Sequence, residues 1–103
     1  MDNFFQRAFS VVKQIPEGRV TTYGQIARMI GEPRKVRYVG FAMHQSPGVA
    51  GGVPCHRVVF KDGSLAPGFA FGGPDAQREL LEAEGVQFLK NGKVDMRHFL
   101  WEA

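Results

Sequence analysis

The sequence predicts a mainly α-helical domain with a small β element, a winged helix-turn-helix with a C-terminal hairpin. Three observations carry that expectation. Apolar residues recur at helical spacing through the first half of the chain. Two short helices there are separated by a tight turn at Gly31, and the second is basic. Near the end, Asn91-Gly92 lies between two runs that alternate like strands. At 103 residues, one domain spanning 1–103 is expected, small but able to fold alone.

Residues 4–14 read as a helix with Phe5, Ala8, Phe9 and Val12 on one face and Asp2 or Asn3 as its cap. Pro16 and Gly18 in "IPEGR" end it in a turn. "TTYGQIARMIGEP" is the second helix. Thr22 and Gln25 form a capping box, each side chain satisfying a free backbone donor. Ile26, Ala27 and Ile30 make its buried stripe, Gly31 ends it, and Pro33 opens the next helix where its missing N–H costs nothing. In the third helix, "RKVRYVGFAMHQ", Val36, Val39, Gly40 and Met43 should face the core. Arg34, Lys35, Arg37, Tyr38 and Phe41 lie off that stripe. A basic second helix suits a DNA backbone, and it equally suits plain solvation.

"SPGVAGG" is a loop, and Val58, Val59 and Phe60 in "VPCHRVVF" suggest a short buried strand. After the turn "KDGS", the Gly/Pro-rich "LAPGFAFGGP" carries Phe69 and Phe71. Aromatic rings in such a loop suit a lid or pocket wall, or a loop folded back on the core. "PDAQRELLEAEG" is a helix started by Pro74 and Asp75, burying Leu80 and Leu81 and ended by Gly85. "VQFLKNGKVDM" is a hairpin with a two-residue Asn91-Gly92 turn, Val86 and Phe88 facing Val94 and Met96. Trp101 should anchor the tail.

Apolar content of 44% and charged content of 22% are those of a soluble globular protein. No run is long enough to cross a membrane, and "MDNFFQRAFS" lacks the features of a signal peptide, so the cytoplasm and a monomer are expected. A charge of +3 and a pI near 9.4 permit a nucleic-acid partner without requiring one.

The single cysteine, Cys55, cannot form an internal disulfide. It is packing, a metal ligand or a nucleophile. Metal is poorly served, because Cys55 and His56 are adjacent and His44 and His98 fall at no ligand spacing. A lone cysteine is most often a small buried hydrophobe. Three features favour a nucleophile: Pro54 fixes the preceding backbone, His56 is a potential base, and Arg57 brings positive charge that favours a thiolate. Neighbours on a strand point to opposite faces, so the thiol–imidazole pair needs a turn or a bridging water. A carboxylate to orient the imidazole would complete a relay, and several are available.

"VPCHRVV" resembles the active-site motif of the O6-alkylguanine-DNA alkyltransferases, the methylated-DNA–protein-cysteine methyltransferases. "GRVTTYGQIARMIGEPRKVRYVGFAM" is similar to that family's helix-turn-helix, and "RELLEAEGV" to the helix after its active-site loop. The resemblance implies a DNA repair protein that flips O6-alkylguanine out of duplex DNA and moves the alkyl group irreversibly to Cys55, without a cofactor. It implies that His56 deprotonates Cys55 through a water, that Glu84 orients His56, and that Arg57 braces the loop. Arg37 would fill the gap in the duplex, and Tyr23 would rotate the target phosphate and serve as proton donor. Thr22, Arg34, Lys35 and Gly40 would join them at the DNA, with the third helix in the minor groove. Met43, Ser46, Val53, Pro54 and Phe69 would line the alkylguanine pocket.

The chain departs from the family pattern in several places. Ser46 stands where an asparagine usually braces the cysteine loop, and the following loop is about one residue longer. Lys35 and Tyr38 occupy recognition-helix positions that are often small, and Phe69 replaces a common tyrosine. The N-terminal domain of full-length transferases has no counterpart. Length and both ends look most like the alkyltransferase-like proteins, which bind the lesion without transfer and hand it to nucleotide excision repair. Their cysteine is usually replaced, and this chain keeps it. A lesion sensor is therefore the alternative to a single-turnover transferase. A small winged-helix regulator with a buried thiol is the third.

Overall fold

Asn3 accepts the amide of Gln6 at 2.8 Å and starts α1 (Phe4–Val12) in the computed structural model, which describes residues 3–69 and 71–102. Asp2, the other expected cap, lies outside the described residues. The helix stops two residues short of the expected end. Gln14 and Ile15 donate to carbonyls three residues back, tightening the chain ahead of Pro16, which disfavours helical backbone before it. Its buried face is Ala8, Val11 and Val12, with Phe5 and Phe9 half-buried against the same core.

Strand β1 (Thr21–Thr22) leads directly into α2 (Tyr23–Met29). Thr22 caps α2 by accepting the Gln25 amide at 3.1 Å, but the capping box is only half formed. The Gln25 side chain donates instead to the Trp101 carbonyl at 3.2 Å, tying down the C-terminal segment. Helix α3 spans Val36–His44, so Pro33 lies in a turn before it rather than in its first turn. Its core contacts are Val39, Ala42 and Met43, while Val36, expected inside, is 39% exposed. The first turn of α3 overhangs a cavity instead of the core.

The cysteine segment is not a strand. Val49–Gly51 and Cys55–Arg57 are single 3-10 turns, and only Val58–Val59 forms β2, pairing in parallel with β1 (Thr21 opposite Val58, Thr22 opposite Val59). Phe60 has already turned outward and is 42% exposed. Helix α4 (Gly73–Ala83) buries Gln77 and Leu81, so Leu80 points to solvent, contrary to expectation.

The hairpin contains one antiparallel bridge, Phe88 to Val94. Its turn has three residues rather than two: Leu89 and Lys93 close it at 2.8 Å, and Gly92 adopts φ +85°, the left-handed position such loops reserve for glycine. Met96 leaves the hairpin to begin α5 (Met96–Phe99). Leu100 then bridges Val20, and the Trp101 amide donates to the Val20 carbonyl at 2.7 Å. The half-buried Trp101 packs against the helical core, so the tail is anchored as expected. There are two apolar clusters, one under α1–α3 reaching to Cys55 and one of Val20, Val59, Leu81, Val86 and Val94 under α4 and the hairpin.

Candidate active site

The 3-10 turn Cys55–Arg57 separates the three motif side chains. Cys55 faces a cavity of about 830 Å³ between α2, α3 and the 66–69 loop. His56, 1% exposed, points inward to α4. There its Nε2 lies 3.0 Å from Glu84 Oε2. The same carboxylate accepts two bonds from Arg57, Nε to Oε1 at 2.9 Å and Nη2 to Oε2 at 2.7 Å. Arg57 Nη1 donates to the Ile15 carbonyl at 2.8 Å, so the guanidinium joins the turn to both α4 and the end of α1. A planar guanidinium gripping a carboxylate in two places fixes orientation as well as charge.

These contacts set the protonation states. Burial alone would raise the Glu84 carboxyl, but the hydrogen bonds from Arg57 and then His56 outweigh it and hold it below its ordinary value. Burial lowers His56 despite the Glu84 carboxylate, so the imidazole is neutral at pH 7. With Glu84 accepting from Nε2–H, the bare nitrogen is Nδ1, which is buried and has no partner among the described residues. That is the tautomer of a base. Burial pushes the Cys55 thiol up, and the Ser46 hydroxyl beside it offsets part of the rise. Burial, then the nearby Cys55, pushes the Tyr23 phenol up to about 12, so it stays protonated.

Tyr23, Thr22, Arg37, Gly40, Met43 and Phe69 line the cavity with Cys55. Val53, 1% exposed, belongs to the core, and Ser46 is buried behind the cavity surface. Pro54 fixes the start of the 3-10 turn and is also outside the lining. These three, expected at the alkylguanine pocket, stand behind the cavity lining. A 3-10 turn, unlike a strand, exposes one side chain to the cavity and folds its neighbours back. Lys35 is held by Glu32 at 3.2 Å, a carboxylate shared with Arg7, whereas Arg34 and Arg37 make no ion pair among the described residues.

Sequence reasoning missed Gln77. It accepts the Ala66 amide at 2.9 Å and donates to the carbonyls of His56 and Val58 at 3.0 Å each. The available signal was a glutamine four residues before Leu81, on the apolar face of α4. Arg28, Lys61 and Phe41 also line the cavity unforeseen, and among the described residues no carboxylate does. Among the described residues, no three His, Cys, Asp or Glu side chains cluster as a metal site.

Residues 3–86 match the family model described as "6-O-methylguanine DNA methyltransferase, DNA binding domain". The chain belongs to this family. An Escherichia coli relative called a DNA base-flipping protein is 40% identical over 97% of this chain and 75% of its own length. The alkyltransferase-like protein 1 of Schizosaccharomyces pombe is 36% identical over 99% of this chain and 97% of its own. The crystal structure of the S. pombe protein with damaged DNA containing O6-carboxymethylguanine superposes with a TM-score of 0.82 at 35% identity, covering 100% of this chain and 98% of that one. A methylated-DNA–protein-cysteine methyltransferase of Methanosarcina acetivorans is 43% identical over 80% of this chain and 51% of its own. The family member described here is thus similar both to named transferases and to relatives named for flipping or for likeness to transferases. Helices α2 and α3 form the helix-turn-helix of this fold, within the residues matched to the family's DNA-binding domain.

Proposed function

We propose that this protein binds duplex DNA at O6-alkylguanine, turns the damaged base into the cavity beside α3, and takes the alkyl group on Cys55. The observation that carries the reading is the placement of Cys55 in one cavity with Tyr23 and Arg37 while a neutral His56 behind it is oriented by Glu84. Base chemistry requires extrusion, because the reacting atom is unreachable in the stack. The Cys55 proton passes to His56 Nδ1 through a water. Sγ then bonds to the alkyl carbon as the carbon–O6 bond breaks and its electron pair stays on the guanine. Tyr23 gives the guanine a proton, and the proton held by His56 restores the balance through solvent. The thioether is stable, so each molecule acts once. Arg28, Arg37 and Lys61 supply the charge that phosphates require.

A second reading is a sensor that flips the base, leaves it alkylated and recruits nucleotide excision repair. It is favoured by the burial that raises the Cys55 thiol and by the names of the relatives matched nearly end to end. Intact-protein mass after mixing with an O6-methylguanine duplex separates the two. A gain of one methyl group, absent in Cys55→Ala, is expected. Lesion-selective binding with no mass change would leave the sensor, and no preference for the lesion would remove both.

A further inference from the structure

Two aromatic rings on α3 stand off its core-facing stripe and half in the open. Phe41 is 49% and Tyr38 52% exposed, while Val39, Ala42 and Met43 make the core contacts of the helix. Phe41 lies one turn after Arg37 and lines the cavity with it. Tyr38, outside the lining, meets the Phe41 ring edge to face at 5.9 Å and 81°. Phe4 of α1 meets Tyr38 at 6.3 Å and 72°, and Lys35 Nζ stands 5.7 Å over the Phe4 ring. The row holds Phe41 in place before any ligand arrives.

The cations around this ring narrow its partner. Arg28, Arg37 and Lys61 share the cavity lining with Phe41, and among the described residues no carboxylate is present there. Such a rim attracts a polyanion. The flat apolar part of that polyanion is the nucleobase, whose π-face any aromatic side chain can stack on.

We propose that Phe41 is a stacking wedge. When the damaged base leaves the duplex, Phe41 covers the base face exposed beside the gap, and Tyr38 braces it. The inference rests on the base-flipping reading above and adds a residue to it. Arg37 meets the gap with charge and hydrogen bonds, whereas Phe41 supplies uncharged stacking area. Inserted apolar side chains in other minor-groove proteins recover unstacking energy in the same manner. The ring contributes only once a base has been extruded, so its effect is confined to damaged DNA.

The test uses the full chain in a Cys55→Ala background, which prevents turnover, with matched duplexes containing O6-methylguanine or guanine. Phe41→Ser should weaken binding of the lesion duplex about tenfold and leave the undamaged duplex within about twofold. The salt dependence should be unchanged, whereas Arg37→Ala should lower its slope by about one charge. Phe41→Leu should fall between, with melting temperature unaltered. Equal losses on both duplexes, or none, would overturn the wedge while wild-type lesion preference kept base flipping intact. Absence of that preference in the wild type would overturn the flipping reading and the wedge with it. A wild-type dimer in sedimentation that Phe41→Ser dissolves would reassign the ring to a protein interface.

Discussion

Between Phe4 and His44 the chain is held by apolar side chains at helical spacing, whereas between Ser46 and Gly72 the few buried apolar side chains, Val53, Val58 and Val59, are supplemented by polar side chains that reach across from α4 and its C-cap. In the first region Ala8, Val12, Ile26, Ala27, Val39 and Ala42 have no exposed surface. In the second, regular structure amounts to two 3-10 turns and half of a two-stranded sheet. Its anchors are Gln77 on three backbone groups, and Glu84 on His56 and Arg57. Apolar packing supports a surface that tolerates small adjustments. Directional hydrogen bonds place one thiol and one imidazole, and they fail when a single partner is lost. The contrast therefore predicts different sensitivities on the two sides of Ser46.

The largest effect is expected from Glu84→Ala, which leaves Arg57 partly buried without its carboxylate and His56 without its acceptor. The loss should be about 3 kcal/mol, read as a lower denaturation midpoint. Alkyl transfer should be abolished even where the variant remains folded. Equal stability and transfer in Glu84→Ala would mean that the polar ties do not hold the cysteine segment.

The same ties should make stability fall with acid. The folded His56 pKa lies below its ordinary 6.5, so the unfolded chain binds the extra proton first and stability declines as pH drops below about 6.5. Glu84 is also lowered, so a second decline begins below its ordinary 4.5, as the unfolded carboxyl protonates while the folded one resists. Cys55 is raised above its ordinary 9.0, so the folded thiol keeps a proton that the unfolded chain has released, and stability falls again above pH 9. Denaturation midpoints across pH should show these limbs, and His56→Asn should flatten the first. An unchanged profile in that variant would place the acid sensitivity elsewhere.

Gln77→Leu and Ile26→Val compare the halves at matched burial, since both parent residues have no exposed surface. Gln77→Leu orphans the Ala66 amide and two carbonyls and should cost about 2 kcal/mol. It should also accelerate modification of Cys55 by a thiol reagent, as the 55–66 segment loosens. Ile26→Val should cost about 1 kcal/mol and leave that rate unchanged. Similar thiol rates in the two variants would erase the distinction.

The same division explains what could be read in the sequence. Helices α1–α3, α4 and the tail anchor were legible because a periodic apolar face leaves its mark on spacing, as at Ala8, Val12, Ile26, Val39 and Leu81. The capping role of Thr22 was legible because the motif is local, and the diverted Gln25 was not, because Trp101 is far away in the chain. The relay was half legible. Adjacency of Cys55 and His56 suggested chemistry, yet the choice of Glu84 among the available carboxylates came from family resemblance. No pattern in "VPCHRVVF" announces a 3-10 turn, because its geometry is imposed by Gln77 and Glu84 from outside the segment.

The smallest effect is expected at the seam between the halves. His44, the last residue of α3, donates from Nδ1 to the Gly68 carbonyl at 3.2 Å, tying the helical scaffold to the loop that roofs the cavity. On the far side of that loop the Phe71 ring lies so close over Gly48 that a Cβ there would stand 2.7 Å from Cζ. Phe69 also packs against the helical core, and the Ala66 amide at the head of the loop donates to Gln77 at 2.9 Å. His44→Ala removes an exposed hydrogen bond, so global stability should change by only about 0.5 kcal/mol. Amide exchange at 67–69 should nevertheless rise severalfold, because the hydrogen bond that ties this stretch to α3 is gone. Affinity for the lesion duplex should drop about twofold, with affinity for undamaged DNA unaltered. If exchange at 67–69 does not respond, Phe69, Phe71 and Gln77 hold the roof without help from His44, and the seam carries no weight.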